Sequence, residues 1–324
     1  MRAGLILFFL QATMIQHIDW TAKASLPIPA AGGYAAVVHG KVVYAGGSTW
    51  EKGVKRFLRE THIFDARSNR WGNGAPLPVP LAYGASVQTS RGLEILGGTD
   101  GDTTSRQCWV LEKADGTWKK CEGDAGDTIL GTAQAVGNEV AVFGGCPNLT
   151  ELARCSASVR VRSNAGRWEN IGEMPQGRVA NVASAAINGS VYLFGGVSGG
   201  DGGRIDNHAD AYRLELKSRQ WRRCRPLPRA VRGMTAVAWD SRYIALAGGY
   251  VATQAEAQGK PTDFGFSGDV LLYDTVADEY RQVGSLPLPC AGPVMVRLGD
   301  GIVAIGGEER MRSRTAQVLW GVKR

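Results

Sequence analysis

Short apolar runs that end in a pair of glycines recur along the chain: "KVVYAGG", "GLEILGG", "EVAVFGG", "SVYLFGG", "YIALAGG" and "GIVAIGG". The pairs fall at Gly46-Gly47, Gly97-Gly98, Gly144-Gly145, Gly195-Gly196, Gly248-Gly249 and Gly306-Gly307. Each run has the length of a buried strand and is too short for a helix. A tight turn and another apolar strand come before it, as in "YAAVVHGKVVYAGG" and "VASAAINGSVYLFGG". After each of the first five pairs come a variable loop, a third strand, a tight turn and a lone aromatic: Trp71, Trp118, Trp168, Trp221 and Tyr280. The pattern predicts four strands per repeat at a period of about 50 residues. A Pro-rich exit such as "PLPVP" or "SLPLP" closes most repeats, though not the second.

Six such repeats are the signature of an all-β, six-bladed kelch β-propeller. The glycines allow positive φ and close approach between strands, and the lone aromatic is expected to pack between neighbouring sheets. The sixth repeat stops after "RTAQVLWGVKR" with no fourth strand, while "QHIDWTAKASLPIP" near the N-terminus supplies the missing aromatic, Trp20, and the missing exit. Residues 18–22 should therefore pair with residues 316–321 and close the ring, which removes the open sheet edges of a linear array. The propeller is expected over residues 16–324 as one domain. Residues 1–12, a basic start followed by "AGLILFFL", predict a signal peptide and hence export to a periplasm or the exterior.

In such a ring the loops between second and third strands share a face with the exits. These loops are long, at 48–59, 99–106, 146–156, 197–207, 250–267 and 308–314, whereas the turns on the other face are short. Function is expected on the long-loop face, at the mouth of the central channel. Only the sixth loop, "GGEERMRSRTAQV", carries Glu308 directly after the glycines and Arg314-Thr315 where the next strand begins. A carboxylate there can take or give a proton, and a guanidinium can bind a carboxylate through two parallel hydrogen bonds. Arg178, Arg229 and Arg232 in the exits, and Asn207 at the start of a third strand, are further candidates for the same mouth. The bland reading is a loop salt bridge and solvated arginines.

The "GGEERMRSRTAQV" segment resembles that of the N-acetylneuraminate (sialic acid) epimerases, or mutarotases, which are six-bladed kelch propellers. Their segment runs strand, Gly-Glu, short loop, Arg-Thr, strand. The resemblance implies that Glu308 and Arg314 are catalytic, with Thr315 in register beside them; Arg178, Asn207 and Arg232, from their place on the same face, are candidate substrate contacts. It also implies a sialic-acid substrate, interconversion of α and β anomers, and no metal or cofactor. The family's loop has Pro and Gly where this chain has Met311, Arg312 and Ser313. Its Glu–Arg blade sits mid-chain, whereas here it is last and "GGYAAVVHGKVVYAGGSTW", which looks like the following blade, is first. That order resembles the cyclically permuted branch of the family.

The net charge of +7 is spread along the sequence, which suits an anionic small ligand in a positive cleft. No basic helix or stacking motif points to nucleic acid, and no apolar span after the leader points to a membrane helix. Four His without paired spacing argue against a metal site. A turn centred on Ala114-Asp115 sets Cys108 opposite Cys121, and Cys146 shares a loop with Cys155. Both pairs are candidate disulfides, with buried free thiols as the alternative. The expected assembly is a monomer or a homodimer. A competing reading, from a different class, is a non-catalytic kelch module that binds a protein or glycan on its long-loop face.

Overall fold

The computed structural model describes residues 16–163 and 165–324, so the leader expected over residues 1–12 lies outside the described residues. The chain forms six four-stranded antiparallel sheets arranged as propeller blades. Blade one, for example, consists of Tyr34–Val38, Lys41–Ala45, Thr61–Asp65 and Arg70–Asn73, in sequence order from the inside outward. Two of the long loops carry small hairpins of their own, Ser48–Glu51 with Val54–Phe57 and Val197–Gly199 with Ile205–Asn207. No helix among the described residues is long and apolar enough to cross a membrane.

Blade six is composite. Val294–Leu298, Gly301–Ile305 and Val318–Lys323 come from the C-terminal end, and Ile18–Ala22 adds the outer strand. The closing register runs from Ile18 opposite Lys323 to Ala22 opposite Leu319. The ring thus closes as the sequence requires, but against residues 319–323 rather than 316–321. The cause is local. The Thr315 amide donates to Gly307, the Gly306 amide donates to the Gln317 carbonyl, and the strand begins only at Val318.

The core is divided among the blade interfaces. Tyr34, Val43, Leu93 and Ile95 meet between blades one and two, and Ile18, Leu319, Val270 and Leu272 meet between blades five and six. The outer-strand aromatics tie neighbouring blades through their polar ends. Trp71 Nε1 donates to the Ala24 carbonyl at 2.8 Å, Trp118 Nε1 to the Ala75 carbonyl at 3.1 Å, and Tyr280 Oη to the Arg225 carbonyl at 2.9 Å. In each case the acceptor lies on the exit that leads into that blade. This arrangement supports the structural role expected of these rings.

The inner ends of the blades are joined by a backbone belt. The second residue before each inner strand holds a left-handed backbone: Gly32, Tyr83, Leu130, Asn181, Gly233 and Gly292, with φ between 51° and 67°. Successive members are hydrogen-bonded, Tyr83 N to Gly32 O at 2.8 Å, Leu130 N to Tyr83 O at 2.7 Å and Asn181 N to Leu130 O at 2.8 Å, and onward to Gly233 and Gly292. Cys108 and Cys121 are bridged across their hairpin, and Cys146 and Cys155 within one loop. Cys224 and Cys290 are buried free thiols, and burial pushes the Cys290 thiol up to about 12.

Two expectations follow from this packing. Ile18 is 1% exposed and anchors the closing strand in the interface between blades five and six. Ile18→Ala should therefore cost about 2–4 kcal/mol, read as a lower urea midpoint for the whole ring. In a thiol-reagent assay the native protein should react slowly, and the denatured, unreduced protein should expose two thiols. Six reactive thiols in denaturant would show that the bridges are not formed in solution.

Candidate functional site

The inner strands enclose a channel of about 720 Å³. It is lined by small and polar side chains such as Ser86, Gln88, Thr132 and Ser184, and Glu308 and Tyr83 reach it at the long-loop face. Glu308 is placed there by the sixth glycine pair. Gly306 and Gly307 have φ of 62° and 113°, conformations that L side chains rarely adopt. The Gly307 amide donates to the Ala30 carbonyl of the neighbouring exit at 2.9 Å. The Glu308 amide and carbonyl then pair with Ala291, which fixes the backbone at the rim.

Arg314 comes back to the same point from the far end of the loop. Its side chain is 4% exposed, and its Nη1 meets Glu308 Oε1 at 2.7 Å, where the carboxylate is 30% exposed. Nη1 also donates to the Ser313 carbonyl at 3.1 Å, and Nη2 donates to Tyr83 Oη at 3.1 Å. Tyr83 Oη in turn shares a hydrogen bond of 2.7 Å with Ser48 Oγ, and Lys55 Nζ lies 4.5 Å from the Tyr83 ring centre. The result is a polar chain, Glu308–Arg314–Tyr83–Ser48, assembled from three stretches far apart in sequence. Burial alone would lower the Arg314 pKa, but Tyr83 and Glu308 outweigh it and hold the pKa above its ordinary value. Burial would raise the Tyr83 pKa, but the positive charges of Arg314 and Lys55 outweigh it and pull the phenol below its ordinary range. Arg314 Nε is buried with no acceptor among the described residues. That leaves one strong donor unspent in a site otherwise well satisfied.

On the other side of Glu308 stands Arg232, in the position held by Ala31, Ala82, Ile129, Ala180 and Ala291 in the other repeats. Its Nη1 donates to Asn207 Oδ1 at 2.7 Å and its guanidinium lies 4.3 Å from the Tyr250 ring centre. Asn207 is itself held by the carbonyls of Tyr250 and Ala252, at 3.1 and 3.3 Å. Burial lowers the Arg232 pKa, and Tyr250 and Glu308 partly offset this, so Glu308 is within electrostatic reach.

Of the residues singled out by sequence, the structure brings together Glu308, Arg314, Arg232 and Asn207. Glu309 faces elsewhere, with Ser313 Oγ donating to it at 3.0 Å and Arg310 at 3.5 Å. Thr315 is buried in the turn ahead of the strand, where its hydroxyl accepts the Gln317 amide at 3.0 Å. Arg178 is exposed in its exit turn. Tyr83, Ser48 and Lys55 were not singled out. The signal for Tyr83 is present in the aligned exits: its slot reads Gly, Tyr, Leu, Asn, Gly and Gly around the ring, so an aromatic occupies a position that suits glycine.

The fold is a six-bladed propeller, and a Kelch motif matches residues 178–228. The solved structure of YjhT superposes with a TM-score of 0.74, covering 93% of this chain and 97% of that one at 15% identity, a likeness of fold. In sequence the chain is related to the N-acetylneuraminate epimerases. That of Yersinia pestis (strain Pestoides F) is 27% identical over 188 residues, which is 50% of this chain and 48% of the relative. That of Haemophilus influenzae (strain 86-028NP) is 23% identical over 185 residues, 50% of this chain and 49% of the relative. The match thus spans about half the length of these relatives.

Room for Tyr83 is made by Gly32. A Cβ there would lie 2.5 Å from the Tyr83 ring, whereas a Cβ at Gly40, also left-handed at φ 77°, would meet nothing within 4 Å. Both Gly32→Ala and Gly40→Ala should lose about 1 kcal/mol to backbone strain. Gly32→Ala should lose a further ~1–3 kcal/mol to overpacking. Paired urea titrations measure the difference, and equal losses would show that the Tyr83 ring moves aside freely.

Proposed function

We propose that the protein interconverts the α and β anomers of N-acetylneuraminic acid or a closely related sugar acid. The observation that carries this reading is the Glu308–Arg314 pair at the channel mouth, in a chain related to N-acetylneuraminate epimerases. Anomer exchange needs the ring opened and closed again on the other face. A proton leaves the anomeric hydroxyl, the bond from the anomeric carbon to the ring oxygen breaks, and the ring oxygen gains a proton. The open-chain keto acid then turns about the bond next to the carbonyl and recloses.

Glu308 is the group for the proton on the anomeric hydroxyl. Its carboxylate is partly exposed to the channel, and its other side is fixed by Arg314, so it presents one geometry to the substrate. Arg314 orients Glu308 from its buried position in the wall. The Arg232 guanidinium has only the Asn207 hydrogen bond among the described residues, so its remaining donors suit the substrate carboxylate. Arg178 and Thr315 are not needed for this arrangement. Export, through the leader expected at residues 1–12, belongs to the same proposal.

The test is NMR of α-N-acetylneuraminic acid freshly released from a glycoside, followed as the α and β signals relax to equilibrium. The wild type should speed relaxation. Glu308→Gln should slow the catalysed rate by about 10²-fold or more. Arg314→Ala should do the same, because it leaves Glu308 unheld. Relaxation at the uncatalysed rate with folded wild-type protein would sink the proposal.

A further inference from the structure

Tyr83 combines features that a merely structural tyrosine does not need. It holds φ of 61°, a left-handed conformation that is uncommon for a bulky side chain. Its ring fits only because residue 32 is glycine. Its hydroxyl is held from one side by Arg314 Nη2 and from another by Ser48 Oγ, and the residue lines the channel. Most telling is the link to Glu308. The Glu308 carboxylate and the Tyr83 hydroxyl sit on the two terminal nitrogens of one planar guanidinium, at 2.7 and 3.1 Å. A rigid fork therefore holds two proton-carrying groups side by side. The two oxygens that exchange protons in anomer interconversion are likewise side by side, because both are attached to the anomeric carbon.

We propose that Tyr83 is the second proton-transfer group of this site, serving the ring oxygen while Glu308 serves the anomeric hydroxyl. The assignment rests on the anomer-exchange reading above. In the opening step Glu308 takes the proton of the anomeric hydroxyl, and that O–H electron pair becomes the second bond of the new carbonyl. The bond between the anomeric carbon and the ring oxygen breaks, its electron pair stays on the ring oxygen, and Tyr83 Oη delivers its proton there. Tyr83 is left as a phenolate, stabilised by Arg314, and Glu308 is left neutral. Reclosure reverses both transfers on the other face of the carbonyl, so both groups return to their starting states and no co-reactant is consumed.

The charged and titratable groups facing the Tyr83 hydroxyl are Arg314 from blade six, Lys55 from the loop of blade one, and the phenols of Tyr34 and Tyr44 beneath it. Arg314 and Lys55 favour the phenolate. Burial raises the pKa of Tyr34 and of Tyr44, so both remain neutral. A Tyr83 that acts as the acid must start protonated, so the catalysed rate should fall as pH rises through its lowered pKa.

The experiment compares wild type, Tyr83→Phe and Lys55→Met as full-length folded proteins, with unfolding midpoints checked first. Tyr83→Phe keeps the ring and should bind equilibrated N-acetylneuraminic acid with unchanged Kd by calorimetry. It should slow anomer exchange by about 10²-fold and lose the alkaline fall in rate. Ultraviolet titration should show one phenol ionising below the usual value of about 10 in wild type and not in Tyr83→Phe. Lys55→Met should move the alkaline fall to higher pH. A Tyr83→Phe protein with the wild-type rate and alkaline limb overturns the assignment, as does a wild type without the early phenol or a Lys55→Met limb that stays in place. A wild type with no effect on anomer exchange instead overturns the substrate reading itself. The two failures are distinct, because failure of Tyr83 alone leaves the wild type active.

Discussion

Four of the six blades are fixed to the next by a backbone contact made from a left-handed glycine. The amide of the second glycine in a pair donates to the exit that leads into the following blade: Gly47 to Leu81, Gly196 to Val231, Gly249 to Cys290 and Gly307 to Ala30, all at 2.8–2.9 Å. Beside them runs the belt of left-handed residues at the inner strand starts. Both sets of bonds lie where the long loops leave the scaffold. The rim of the channel is therefore the part of the molecule where backbone is held most tightly from several directions, and side chains placed there inherit that rigidity. Glu308 follows a glycine pair, Arg232 and Ala291 pair with the residue directly after a glycine pair, and Tyr83 belongs to the belt itself.

That origin explains how the Glu308–Arg314 pair can be tight without being sealed. Arg314 is buried, and a buried guanidinium is costly unless its donors are used. Glu308, Tyr83 and the Ser313 carbonyl use them, except Nε. Glu308 keeps a face to the channel. The burial is thus asymmetric: the cation is locked into the wall, and the anion it holds is the part that faces the channel. An exposed ion pair of the same residues would be screened and mobile, and would contribute little to orientation.

Much of this was legible in the sequence. The glycine pairs, the lone aromatics and the orphaned Trp20 define the ring and its closure, because each is repeated or conspicuously missing in a regular frame. The closing register was read three residues early at its start, at 316 rather than 319, because a Thr315 turn consumes residues that continue the apolar pattern. Glu308 and Arg314 were legible because one loop carries both at a set spacing. Ser48, Lys55 and Tyr83 were not, since nothing in the chain order says that the loop of blade one leans on the exit into blade two, across from the loop of blade six. Their proximity is a product of the ring, and of Gly32 making room for an aromatic that a repeat pattern reads as an irregular slot.

Closure also makes the order of blades along the chain irrelevant to the site. The polar chain Glu308–Arg314–Tyr83–Ser48 joins the last blade to the first and to the exit into the second, residues about as far apart in sequence as the described chain allows. In a linear array these groups would lie at opposite ends. In a ring they are neighbours, and they would remain neighbours wherever the chain were cut, provided the cut fell between blades. The unit preserved across such a change is the contact between adjacent blades, and here Glu308, Arg314 and Tyr83 lie on that contact.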